Sequence, residues 1–141
     1  MGAERNVNND VVLAQWQTCV EMANCISERR DNMNNIFITL NLGIITAISF
    51  TWSKKTLLLT ISGIVVCAIW LIFIRNFKLL NSAKFQVINN IENLLPVKPF
   101  NDEWKLLKSN KKYSDGTKLE KLFPLFFIVL YIIVIIIVYQ K

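Results

Sequence analysis

The sequence predicts an all-α membrane protein with three transmembrane helices and long cytoplasmic helical extensions. Two observations carry that reading. Of 141 residues, 53% are hydrophobic, too many for the single modest core that a water-soluble domain of this length can build. Those residues are also gathered into charge-free runs, Ile36 to Trp52, Leu57 to Ile74 and Leu122 to Val138. At about 1.5 Å per helical residue, each run is just long enough to cross a hydrocarbon layer of roughly 30 Å.

The chain divides into residues 1–35, an N-terminal cytoplasmic helix; 36–74, a transmembrane hairpin; 75–121, a basic cytoplasmic helical segment; and 122–141, the third transmembrane helix. In the first, Val12, Trp16, Cys19, Ala23 and Ile26 recur at the spacing of an a/d seam, predicting a helix that starts near Asn9 or Asp10 and runs without interruption into the membrane. A cleavable leader is not expected, because this segment holds five acidic residues and three Arg and no early apolar run. The myristoylation pattern fails at Asn6, where Ser or Thr is required.

The first two apolar runs are separated only by Ser53, Lys54, Lys55 and Thr56, which predicts a tight helical hairpin. Beyond it, Leu80, Ala83, Val87, Ile91 and Leu94 form a second seam, ended by Pro96, and the two seams are expected to pack together. Asn101 or Asp102 is placed to cap a short helix through Trp104, Leu106 and Leu107, and residues 109–116 read as a polar loop. Thr117-Lys118-Leu119-Glu120 has capping-box spacing, so the third span is expected to begin at Thr117 and to carry Pro124 as a tolerated kink. Residues 75–121 hold ten of the 16 basic residues, against Lys54 and Lys55 at the hairpin tip. The positive-inside rule therefore places the N-terminus and the middle segment in the cytoplasm, with Tyr131 and Tyr139 in or near the outer half of the bilayer.

The chain contains no His, so triads, Cys/His dyads and His-based metal sites are excluded. Cys19, Cys25 and Cys67 form no C-x-x-C pair and read as reduced packing thiols. No phosphate-binding glycine loop or paired-carboxylate motif is present. The protein is expected to be no enzyme and to use no cofactor and no metal.

The polar residues within the spans are the candidate functional groups. Asn35, Thr39, Gly43, Thr46, Ser49 and Ser53 fall near one face of the first span at steps of three or four, and Asn41 adds an amide at membrane depth. Thr56, Thr60, Gly63 and Cys67 make a similar stripe on the second, while the third offers bulky groups such as Phe126, Ile132 and Ile136. Such stripes either let helices pack closely or line a wet cavity. The first two helices are therefore expected inside an assembly and the third outside. Thr39, Asn41, Thr46 and Ser49 are the pore-lining candidates. Arg29 and Arg30 read either as a headgroup anchor paired with Glu28 and Asp31 or as an anion-binding cytoplasmic collar.

Several stretches resemble the RipA-type family of small octameric bacterial membrane proteins. They are Glu21-Met22-Ala23-Asn24-Cys25-Ile26-Ser27-Glu28-Arg29-Arg30, Asn34/Asn35-Ile36-Phe37, Thr39-Leu40-Asn41 and Leu80-Asn81-Ser82-Ala83-Lys84-Phe85-Gln86-Val87-Ile88. Glu92, Leu94-Leu95-Pro96, Pro99-Phe100, Glu103-Trp104 and Leu119-Glu120-Lys121 with Pro124 and Tyr131 continue it. The resemblance implies a ring-like homo-oligomer, a tetramer or octamer, in the bacterial inner membrane. The chain is also similar to membrane effectors encoded beside nucleotidyltransferases in anti-phage systems, including the channel effector of the Hailong system. That similarity implies a pore or ion channel gated from the cytoplasm by a nucleotide, an oligonucleotide or an inhibitory partner. The alternative is a non-conducting oligomeric scaffold for envelope stress adaptation.

Overall fold

A computed structural model describes residues 2–50, 56–110, 113 and 115–140, with side chains from Asn9 onward in the first helix. The described residues are almost wholly helical: α1 (Gly2–Phe50), α2 (Thr56–Glu92), α3 (Pro99–Ser109), α4 (Gly116–Glu120) and α5 (Leu122–Tyr139). Three helical stretches are long and apolar enough to cross a membrane. The hairpin tip, Ser53 to Lys55, lies outside the described residues, as do Lys111, Lys112 and Ser114 of the polar loop.

Helix α1 runs for 49 residues, about 73 Å at 1.5 Å per residue. It begins at Gly2 rather than near Asn9: no proline stands before the seam, and the helix runs on through the Asn and Asp residues that could have capped it. Two compact units are present, residues 1–29 with 77–114 and residues 30–76 with 115–141, and both long helices contribute to each.

In the unit built from residues 30–76 and 115–141, the core is Phe37, Ile48, Cys67, Trp70, Ile74, Phe127 and Tyr131. Phe37 stacks on Trp70 with ring centroids 5.6 Å apart and planes 10° from parallel, and Phe123 and Phe127 close round the same indole. The Trp70 indole N–H donates to Asn34 Oδ1 over 2.9 Å, so the ring is buried without orphaning its donor. Leu58, Ile72, Phe126 and Val129 stay exposed. Within a bilayer such groups face acyl chains at no cost, and close packing and interhelical hydrogen bonds carry the specificity.

The α2 stripe of Thr56, Thr60, Gly63 and Cys67 is buried in this unit. It is a packing surface: a Cβ added at Gly63 would overlap the Tyr131 ring and hydroxyl. Glycine is required here because an aromatic side chain lies where any other residue would place its first carbon.

The start of the third span differs from the predicted capping box. Asp115 is the N-cap of α4, its carboxylate accepting from Thr117 N over 3.0 Å, while Thr117 and Glu120 turn to Arg30 instead. Helix α5 then begins at Leu122, so Pro124 is its third residue. There the missing N–H is one of those a helix leaves unpaired at its start.

In the unit built from residues 1–29 and 77–114, the α1 seam is as expected: Ala23 and Ile26 are buried and Val12, Trp16 and Cys19 half-buried. On α2 the packed face is not the predicted one. Phe77, Asn81, Lys84, Phe85, Ile88 and Glu92 are buried or half-buried; of the predicted seam only Ile91 is half-buried, while Leu80, Ala83 and Val87 are exposed, as is Leu94 in the turn past the end of α2. The face that the chain turns toward its own core mixes aromatic and polar groups, Glu92 among them. Its carboxylate accepts from the backbone N–H of Phe100 and Asn101, each over 3.1 Å. Helix α3 therefore starts at Pro99, ahead of Asn101, with its first donors satisfied from α2 and no side-chain cap of its own.

Candidate functional site

On the membrane-spanning part of α1, Thr39, Leu42, Gly43, Thr46 and Ser49 are all exposed and share one face. The Thr46 hydroxyl donates to Leu42 O over 2.8 Å and the Ser49 hydroxyl to Ile45 O over 3.0 Å. Donation back into the helix leaves each hydroxyl oxygen able to accept from water or from a neighbouring helix. Gly43 interrupts the face with a notch, since nothing lies within 4 Å of a Cβ added there.

Asn41 does not belong to this face. At about 100° per residue it sits far round the helix from Thr39, and it is wholly buried. Its Nδ2 donates to Phe37 O over 2.8 Å, and its Oδ1 accepts from the Tyr131 hydroxyl over 2.9 Å and the Cys67 thiol over 3.2 Å. The pore-lining assignment of Asn41 is therefore corrected: its own chain satisfies the amide, so that it faces neither a pore nor another copy. Tyr131 is paired with it near the middle of α5.

The two arginines also separate. Arg29 is exposed, whereas Arg30 faces inward and binds Glu120 through Nε over 2.9 Å and Nη2 over 2.6 Å, with Nη2 also reaching Thr117 Oγ1 over 2.9 Å. Its partner is thus 90 residues away, not the adjacent Glu28 or Asp31. A guanidinium held by a carboxylate at this distance offers little charge to a mobile anion. Of the proposed collar, Arg29 remains open.

Sequence reasoning gave no hydrogen-bonding role to two groups, Glu92 and Tyr131. Glu92 carried a signal, because a carboxylate in the last turn of a helix opposes the helix dipole and so points to another set of donors. Tyr131 was detectable as the one hydroxyl inside an otherwise aliphatic and aromatic run. Among the described residues, no group of three His, Cys, Asp or Glu is placed to hold a metal ion.

Long apolar helices, a polar network internal to one protomer and an exposed hydroxyl face define a multi-span, all-helical membrane protein. The chain belongs to the octameric membrane protein family (8xMP), which it matches over residues 13–140. This agrees with the resemblance to a small octameric membrane protein family, and of tetramer and octamer the family description favours the octamer. No curated protein and no solved structure matches the chain.

Proposed function

We propose that the protein is a homo-oligomeric inner-membrane pore or ion-channel effector in which Thr39, Gly43, Thr46 and Ser49 of α1 face the conducting path. The observation that carries this is the exposure of that face within a span, since the other hydroxylated stripe, on α2, is consumed by packing inside the protomer. An octamer closed as a ring would bring copies of one helix round an axis, where small and hydroxylated side chains tolerate water.

The basic segment 75–121 and the exposed Arg29 support a cytoplasmic side that attracts anions. On this reading a nucleotide or oligonucleotide from a nucleotidyltransferase, or release of an inhibitory partner, biases the ring between closed and open states in anti-phage defence. The similarity to the Hailong effector supports that role and the RipA-type resemblance supports the bacterial inner membrane. A non-conducting scaffold is the second reading. It is favoured by the hydrogen bonds of Thr46 and Ser49 to their own helix, which let those hydroxyls sit in a dry interface.

Current across a planar bilayer holding the purified oligomer decides between them, recorded alone and with nucleotides and short oligonucleotides added. Discrete openings are expected, and Thr39→Leu with Thr46→Leu should close them while the oligomer persists. Unchanged current in that variant removes the face from the path. A silent bilayer with oligomer present favours the scaffold.

A further inference from the structure

The seam of α2 that the chain leaves unused has its own occupant, and we infer that it is a second copy of this chain. Leu80, Val87 and Leu94 are 47%, 49% and 69% exposed. Leu80 and Val87 stand seven residues apart on α2, with Ala83 between them also exposed, and Leu94 follows in the turn after the helix ends at Glu92; this is the pattern of a surface made to pack against another helix. The protomer had every chance to bury this face and instead buries the neighbouring one, on which Phe77, Phe85, Ile88 and Glu92 lie.

Lipid does not cover the seam. It belongs to the half of α2 beyond the apolar run that ends at Ile74, where Arg75, Lys78, Lys84 and Glu92 alternate with Asn76, Asn81, Asn89 and Asn90. A helix carrying charge and amides in every turn stands in water. An exposed apolar stripe in water is costly at about 25 cal/mol per Å² and calls for a protein partner. The partner on hand is the chain itself, since the family to which it belongs is octameric. The assignment rests on that membership and not on conduction, so a silent bilayer leaves it standing.

The test is photo-crosslinking of the full-length protein in lipid nanodiscs, with p-benzoylphenylalanine placed at Leu80, Ala83 or Val87 and, as the control, at Ser82 on the far side of the same helix. Illumination is expected to give a ladder at multiples of the 16.3 kDa chain from the three seam positions and none from Ser82. Equal ladders from Ser82, or adducts only with lipid or with a foreign protein, overturn the assignment. A second measurement uses Leu80→Lys with Val87→Lys. These side chains are exposed, so helix content should be unchanged while the octamer falls to smaller species by mass photometry, and an octamer that survives with unchanged mass overturns it too.

Discussion

The Tyr131 hydroxyl donates to Asn41 Oδ1 over 2.9 Å, across 90 residues of sequence, and the Cys67 thiol donates to the same oxygen. One amide therefore ties α5 and α2 to α1 at the level where no water is available to compensate a broken bond. Asn41→Leu should leave both donors unpaired and destabilise the protomer by about 1–3 kcal/mol. Tyr131→Phe removes one bond and keeps the ring, so about 1 kcal/mol is expected. Equilibrium unfolding in detergent would rank the two, and a Tyr131→Phe variant as damaged as Asn41→Leu would contradict the central place given to the amide.

The two glycines of the spans should respond oppositely to alanine. Gly63→Ala forces the Tyr131 ring to move and should cost about 1–3 kcal/mol. Gly43→Ala meets open space and should be neutral or stabilising for the protomer by up to about 1 kcal/mol. Thermal unfolding of both variants would check the assignment, and equal midpoints would contradict it.

Arg30 and Arg29 are adjacent and should not be equivalent. Arg30→Ala strands Glu120 in a half-buried setting and should destabilise by about 1–3 kcal/mol, whereas Arg29→Ala should change stability by less than about 0.5 kcal/mol. Exchange of the pair, Arg30→Glu with Glu120→Arg, should recover part of the loss. No recovery in a double-mutant cycle would mean that packing rather than the ion pair holds this contact.

Glu92→Gln keeps one acceptor oxygen in place of two and removes the charge that holds the Phe100 and Asn101 amides. Helix α3 should then fray first at its N-terminus, at a cost of about 1 kcal/mol. Hydrogen exchange of residues 100–103 would report it as faster exchange there with no change in α5. Uniform acceleration throughout would instead make Glu92 a general core residue.

Composition and run length alone determined the helical class, the three spans and the α1 seam, because hydrophobic length and period are local properties that burial in any partner must satisfy. Tertiary structure decided which face each helix spends within the protomer. Asn41 and Thr39 are two residues apart and were legible together only as polar groups in one span. Their separation depended on Tyr131 arriving beside one of them. Leu80 to Leu94 read as the inner seam by spacing, yet the neighbouring face with Phe85, Ile88 and Glu92 is the one that packs, and Glu92 there holds the first amides of α3. Arg30 had acidic neighbours in sequence and took a distant one, since residues adjacent on a helix point in different directions while Glu120 on α4 meets it face to face.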